Sequence, residues 1–214
     1  MCSESKHENF SLVIDAMSIK KQTSYTGGNF AGFCDYRGIV MEDCDTLCSE
    51  ALVFILVPLS FSFMQYPVGS FLVDKVSASV QTELVNTLLR LTAEKGIRIR
   101  NVTSDGAACN QSMYSRLGCS LDVLDPRPYF PHPVFGYNVY ATLDICHMLK
   151  LARNSLSDLG VFCDDNGDKI CWSYISGLSD LQDQIGLHLG NKLSSQHKKL
   201  EKAENESKAC CSNF

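Results

Sequence analysis

The sequence predicts an α/β domain whose elements follow the order β-β-β-α-β-α-β, with further helices after the last strand. Apolar runs rich in Leu, Val and Ile open the chain, and such runs are typical of strands covered on both faces. An amphipathic helical pattern and an alternating strand pattern then follow one another. Hydrophobic residues make up 45% of the 214 residues, which is enough to bury a substantial core.

The first three strands are predicted before the central helix. "FSLVIDAMSI" is the first of them and carries Asp15. A turn at Gly27 and Gly28 leads to "NFAGFCDY", and two runs joined by a Gly-Gly turn indicate a hairpin. The third strand is predicted in "ALVFILVPLS". Because a spanning helix needs roughly 20 apolar residues and this run is interrupted by Pro58, no membrane segment is predicted.

Periodicity predicts the central helix and the strand that follows it. From Asp74 to Lys95 apolar residues recur at intervals of three or four, and Gly96 is placed as a stop. "IRIRNVTSDG" then alternates as a strand that ends at Ser104 or Asp105. A strand, helix and strand in succession return parallel to the sheet. The fourth strand is therefore expected to run parallel to a neighbour.

The second half of the chain is predicted to combine helices with a loop, a strand and a hairpin. "CNQSMYSRLGC" is a short helix, "DPRPYFPHP" a loop, and "VYATLDICHMLKLARNSLSDLG" a strand that continues as a helix. A hairpin with a type I′ turn is predicted around Asn166 and Gly167. A calcium loop is rejected there, since Lys169 stands where glycine is required. A last helix is predicted from about Ser173 to Leu193, before a polar tail.

Composition excludes several classes of protein. The net charge is −5 and no segment is strongly basic, so a grip on DNA would need another domain. The odd count of 11 cysteines and the polar first ten residues favour reduced thiols over a secreted disulfide scaffold. The sequence has no CxxC pair, so zinc is not expected.

The predicted strand order is that of an RNase H-like domain, in which the first and fourth strands lie side by side. Asp15 lies on the first strand and Asp105 at the end of the fourth. Two carboxylates brought together in this way attract Mg²⁺, a cation that prefers oxygen ligands. Such sites hold two ions about 3.5–4 Å apart, which serve the attacking and leaving oxygens of a phosphodiester. The alternative is that both are turn or cap residues, because Asp is common at such positions.

Seven stretches carry a more specific signal: "LVIDAMSIKK", "ALVFILVPLS", "PVGSFLVD", "GIRIRNVTSDGAACNQSM", "ATLDICHMLKLARNSL", "DKICWSYISGL" and "GLHLGNKLSSQH". In this order they resemble successive blocks of the P-element-type transposases and their THAP-domain-containing animal relatives. The resemblance covers about residues 10 to 197. It depends on the ordered set, because any single block is a weak signal.

The resemblance implies a DDE-type RNase H-like catalytic domain over residues 10–143. The start of a helical GTP-binding insertion domain would follow over 144–197, and a divergent polar tail over 198–214. Asp15 and Asp105 match the family's first two catalytic aspartates. They are therefore the expected catalytic residues and Mg²⁺ ligands, for DNA strand cleavage and transfer.

The resemblance also implies partners and a second cofactor. Lys192 lies in the block that supplies a basic contact to GTP, although a solvated helix lysine is the alternative. The expected partners are DNA transposon ends, gripped with another domain or subunit, and a full-length transposase in an oligomer. A nuclear protein is expected.

Departures from the family pattern shape the functional hypotheses. Ala16 stands where relatives usually carry Glu, and the resemblance stops after His197, before the third catalytic Glu. With two carboxylates the chain is expected to be a poor nuclease by itself, and its GTP site is expected to be incomplete. Two alternatives stay open: a non-catalytic binding or oligomerisation module derived from a transposase, and a nucleotide-binding protein that acts without DNA.

Overall fold

The computed structural model describes residues 9–27, 29–39, 45–60 and 64–186. The chain divides into two compact units, residues 1–148 and 149–214. The division falls inside a helix, α3, which spans Ile145–Leu159. Across the described residues no helix is long and apolar enough to cross a membrane.

A six-stranded mixed sheet forms the framework of unit 1. Its strand order is β5-β4-β1-β6-β8-β7. The strands are β1 (Asn9–Ser18), β4 (Glu50–Pro58), β5 (Tyr66–Val73), β6 (Arg98–Ser104), β7 (Tyr129–Pro131) and β8 (Asn138–Leu143). A separate small hairpin contains β2 (Ser24–Thr26) and β3 (Asn29–Ala31).

Strand β1 lies in the middle of the sheet. It pairs antiparallel with β4 and parallel with β6, and β6 in turn pairs parallel with β8. The predicted adjacency of the strand that carries Asp15 and the strand that ends before Asp105 is therefore confirmed. Parallel pairing also gives both strands the same direction, so their carboxyl ends meet at one edge of the sheet.

Two helices cover one face of this sheet. They are α1 (Ala78–Glu94), capped by the Ser77 hydroxyl that accepts from the Val80 N–H at 3.3 Å, and α2 (Ala108–Leu117). Along β4 alternate side chains are buried, and they join the apolar face of α1 in one core. The core members with the least exposure include Leu12, Phe54, Leu84, Leu89 and Met113. Their burial fixes which face of β1 and β6 points toward the helices.

The opening strands differ from the prediction in their partners. Of the predicted second strand, "NFAGFCDY", only Asn29–Ala31 forms a strand, and it pairs outside the main sheet. Farther along, Asp35 makes an isolated bridge to Leu72 of β5. The extended run stops at Gly32 because its backbone has φ +112°. Only glycine fits there, since a Cβ would collide with the Gln22 carbonyl oxygen. The main sheet instead gains β5, which pairs with β4 and which the sequence did not predict.

The proline-rich segment and the Asn-Gly hairpin also differ. The predicted loop over "DPRPYFPHP" contains the edge strand β7. The hairpin of β9 (Val161–Cys163) and β10 (Lys169–Cys171) is present, but its connection spans residues 164–168. The only described non-glycine residues with positive φ are Arg37 and Lys75, so a type I′ turn is wrong. Backbone N–H groups of Asn166 and Asp168 instead donate to Asp164 Oδ1.

Unit 2 contains most of α3, the β9–β10 hairpin and α4 (Trp172–Ile185). The last helix ends earlier than predicted because Gly186 adopts a left-handed conformation, with φ +71°. The predicted stretch from residue 187 to Leu193 lies outside the described residues.

His132 is a buried side chain with a defined proton. It is 2% exposed, and its Nδ1 accepts from the Val134 and Phe135 N–H groups at 3.1 and 3.3 Å. The hydrogen-bond network thus assigns the ring proton to Nε2. Burial, followed by the charge of Arg100, lowers the pKa of His132 below its ordinary value of 6.5. The uncharged ring is therefore the form that the fold accommodates.

We expect this histidine to make the fold sensitive to acid. Below about pH 6.5 the unfolded chain binds a proton that the folded chain resists, so stability falls as the pH decreases. The free energy of unfolding should therefore fall more steeply from pH 7.5 to 5 in the parent chain than in His132→Asn. In that variant Oδ1 can still accept from the backbone, but nothing titrates. Parallel curves for the two proteins, measured by urea denaturation, would contradict this assignment.

Candidate metal centre

Asp15 lies on the exposed part of β1, after the buried stretch of that strand. On the β4 side, Asp15 pairs with Val53. Oδ1 accepts from the Ala16 N–H at 2.9 Å. Within the described residues Oδ2 accepts no hydrogen bond, so one oxygen of this carboxylate faces solvent.

Asp105 directly follows the last residue of β6 and is held more firmly. Its Oδ1 accepts from the Ala107 N–H at 3.0 Å and from Asn110 Nδ2 at 2.5 Å. Ala107 precedes α2, and Asn110 lies in its first turn. Because both donors meet the same oxygen, Oδ2 is left without a partner in the described part of the chain.

The strand register brings the two aspartates level. Val13 of β1 pairs with Thr103 of β6, and each aspartate follows its partner by two residues. Residues level with each other in parallel strands point to the same side, and neighbouring strands lie about 4.8 Å apart. Asp15 in β1 and Asp105, one residue after the end of β6, therefore lie at the same edge of the sheet.

The donor set fits a hard divalent cation. Each aspartate keeps one oxygen that accepts nothing from the described residues, and Mg²⁺ takes oxygen ligands while retaining several waters. Among residues 9–27, 29–39, 45–60 and 64–186, no group of three or more His, Cys, Asp or Glu side chains could hold a metal ion. Asp15 and Asp105 would therefore hold the ion together with water molecules.

Asp144 is a third carboxylate at the same edge, but its oxygens are engaged. It follows β8, and its N–H donates to the Ser104 carbonyl at 2.8 Å. Its carboxylate accepts from the backbone N–H groups of Cys146 and His147, each at 3.2 Å. These bonds make Asp144 a cap of α3, with each of its carboxylate oxygens accepting one backbone N–H.

Behind Asp105 the structure shows a polar chain that sequence reasoning missed. Gln81 of α1 donates through Nε2 to Asn110 Oδ1 at 2.8 Å. Both side chains are buried, at 3% and 8% exposure. Burial raises the pKa of the Cys109 thiol, and the charges of Glu50 and Asp105 add to this effect. The available sequence signal was a glutamine in the buried stripe of an amphipathic helix, where an apolar side chain is the norm.

The remaining predicted site residue, Lys192, falls outside the described residues. In the described part of unit 2, the Arg153 guanidinium is hydrogen-bonded to Asn154 Oδ1, at 3.1 Å from Nε and 2.7 Å from Nη2. The seven described cysteines are all free thiols.

Two family models match the chain. The model described as "TNP-like, RNase H N-terminal domain" matches residues 1–118, and "TNP-like, GTP-binding insertion domain" matches residues 146–212. The first match spans more than half of the chain and contains both Asp15 and Asp105.

Two curated proteins similar to this chain are transposases. The human DNA transposase THAP9 is 30% identical over 179 residues, which are 81% of this chain and 20% of that protein. The Transposable element P transposase of Drosophila melanogaster is 30% identical over 111 residues, or 51% of this chain and 13% of that protein. The chain thus spans a fifth or less of the length of these relatives.

A solved structure supports the fold. The Drosophila P element transposase strand transfer complex matches with a TM-score of 0.61 and 21% identity, over 81% of this chain and 34% of that one. Together with the first family model, this likeness confirms the predicted RNase H-like fold.

Proposed function

We propose, for a chain that belongs to the P-element-type transposase family, that Asp15 and Asp105 form the divalent-cation site of a DNA strand cleavage and transfer domain. The observation that supports this most strongly is the parallel register of β1 and β6, in which both aspartates follow the Val13–Thr103 pair by two residues. When bound, the cations would activate the attacking oxygen and stabilise the leaving oxygen of a phosphodiester.

The residues of this chain would hold and orient the cation. Asp105 presents Oδ2 because Ala107 and Asn110 occupy Oδ1. Asp15 presents Oδ2 in the same way, with Oδ1 accepting from Ala16. Since Asp15 and Asp105 supply two carboxylates, further oxygen ligands would come from water or from other residues of the protein. The described domain by itself is therefore expected to bind the cation weakly and to cleave DNA poorly.

The charge of the chain sets the expected partners. A net charge of −5 does not favour wrapping duplex DNA. We therefore assign the main grip on transposon ends to another domain or subunit, with a longer transposase as the natural oligomeric partner. A protein that acts on chromosomal DNA would work in the nucleus. The match of unit 2 to a GTP-binding insertion domain supports GTP as the second cofactor, with Lys192 as a contact.

A cleavage assay tests the catalytic assignment. A chimera in which this chain replaces the matching part of human DNA transposase THAP9 should cut a labelled transposon end in the presence of Mg²⁺. The chimera with Asp15→Asn and Asp105→Asn should lose at least about 100-fold in rate, as expected when groups that stabilise developing charge are removed. The matched control is Asp122→Asn, because Asp122 Oδ1 accepts from the Leu124 N–H at 2.9 Å, two residues on, as Asp105 does. Equal loss in the control and the double variant would overturn the assignment.

A second candidate function is supported by the surface of unit 2. Its helices expose large apolar side chains, including Leu149 (71%), Leu159 (67%), Tyr174 (75%) and Ile185 (63%). Exposed apolar side chains in such number are typical of surfaces that pack against other protein. This favours a non-catalytic binding module. The parent chain and its double aspartate variant can each be added to a full-length transposase that cuts a labelled transposon end. Equal inhibition of cleavage by the two chains would support the module over the nuclease.

A further inference from the structure

We infer that Gln81 and Asn110 form a positioning relay that orients the Asp105 carboxylate toward a divalent cation. The relay connects two helices to the end of a strand. Gln81 of α1 donates to Asn110 of α2 at 2.8 Å, and Asn110 donates to Asp105 Oδ1 at 2.5 Å. The inference rests on the proposed metal-binding role of Asp105.

The direction of the relay is fixed by the Asp105 carboxylate, which accepts from Asn110 Nδ2. At the far end, the single proton of the Cys109 thiol is shared between the Val76 carbonyl oxygen, 3.1 Å from Sγ, and Gln81 Oε1, 3.3 Å from Sγ. The oxygen of the Gln81 amide therefore faces the thiol, and its NH₂ group faces Asn110. An amide has one acceptor end and one donor end, so Asn110 must turn its own NH₂ group toward Asp105.

Because the two amides are buried, a change in their orientation costs free energy. Both lie among buried side chains, where an amide that loses its partner pays a desolvation penalty of about 1–3 kcal/mol. Turning Asn110 over would place two oxygens against each other at Asp105 and two donors against each other at Gln81. The amide is therefore locked, and Oδ1 of Asp105 is locked with it.

The fixed position of Oδ1 also determines the direction of Oδ2 of Asp105. With Oδ1 held by Asn110 and by the Ala107 N–H, rotation of the carboxylate is prevented and Oδ2 keeps one direction. Hydrogen bonds that fix a metal-binding carboxylate contribute about 10–100-fold to metal affinity. Gln81 acts through Asn110, and neither needs to touch the cation.

Substitutions of matched size test the relay in the full chain, with Mn²⁺ as the probe and its free EPR signal as the measure of binding. Asn110→Leu removes the donor to Asp105 and should weaken Mn²⁺ binding by about tenfold. Gln81→Met should weaken it by less, and should add nothing once Asn110→Leu is present. Additive losses in the double variant would show that Gln81 does not act through Asn110.

A buried polar residue outside the relay provides the control. Thr92 of α1 is 7% exposed, and its hydroxyl donates to the Leu88 and Leu89 carbonyls. Thr92→Val should lower stability without changing Mn²⁺ affinity. If Thr92→Val weakens Mn²⁺ binding as much as Asn110→Leu does, the effect is structural and the positioning role is wrong.

A metal-free measurement distinguishes failure of this inference from failure of the proposed function. In NMR spectra the Asn110 side-chain NH₂ protons should exchange slowly with water, and Gln81→Met should abolish that protection because Met offers no donor to Asn110. Unchanged protection in Gln81→Met would overturn the relay even if Mn²⁺ binds normally. Conversely, an intact relay in a chain whose Mn²⁺ affinity ignores Asp15→Asn and Asp105→Asn would refute the metal site, and with it the positioning role.

Discussion

Asp105→Asn is expected to weaken Mn²⁺ binding by about 100-fold or more, and Asp15→Asn by a similar factor. Each substitution removes a negative oxygen ligand, while second-sphere changes alone cost about 10–100-fold. Mg²⁺ should behave in the same way with lower affinity. The readout is a Mn²⁺ titration of the full chain, followed by EPR or by calorimetry.

The stability of these variants distinguishes a lost ligand from a damaged fold. The Asp15 carboxylate is exposed and, among the described residues, accepts only from the Ala16 N–H. An Asn side chain can accept the same bond, so Asp15→Asn should fold normally. The rise in melting temperature that Mn²⁺ causes in the parent chain should disappear in the variant, since that rise depends on binding to the folded state. A full metal-induced rise in Asp15→Asn would contradict the assignment, and Asp122→Asn serves as the unaffected control.

Tyr114→Ala is expected to destabilise unit 1 by about 3–5 kcal/mol, the cost of emptying a buried aromatic site. Tyr114 of α2 is fully buried, and its hydroxyl lies 3.0 Å from Ser104 Oγ and 3.1 Å from the Val102 carbonyl oxygen. The ring therefore ties α2 to the end of β6, directly before Asp105. Tyr114→Phe keeps the ring and should cost about 1–2 kcal/mol through the lost hydrogen bonds.

Alkaline pH provides an independent test of the same residue. Burial raises the pKa of Tyr114 from 10.0 to about 12. The folded chain thus holds a proton that the unfolded chain releases, so stability is fully present below pH 10 and is lost as the pH rises toward about 12. Urea denaturation at pH 9 and pH 11 should show a larger loss of stability in the parent chain than in Tyr114→Phe. Equal losses in the two proteins would show that the hydroxyl titrates freely.

Much of the fold follows from local patterns, and the missed parts have physical causes. The strand with Asp15, the central helix and the strand before Asp105 were predicted because burial imposes clear periodicity on them. Strand β5 was missed because Pro67 and Gly69 interrupt its pattern. Proline is tolerated there since β5 is an edge strand, with one side free of the ladder. The three-residue β7, at the other edge, contains Pro131 for the same reason.

The candidate site, too, could be predicted from the sequence only in part. Strand order alone places Asp15 beside Asp105, because it fixes which strands are neighbours. It does not reveal Asn110 or Gln81, since a hydrogen bond between helices depends on how α1 and α2 pack. Only the three-dimensional structure shows that two buried amides form a chain of hydrogen bonds that ends at the Asp105 carboxylate.

The most direct measurement of the central claim is the position of Mn²⁺ in crystals of the full chain, read from its anomalous scattering. The account predicts a peak within coordinating distance, about 2.0–2.6 Å, of a carboxylate oxygen of Asp15 and of Oδ2 of Asp105. Asn110 should still be bound to Oδ1 of Asp105 in that crystal. A peak bound to neither aspartate, with both carboxylates ordered, would contradict it.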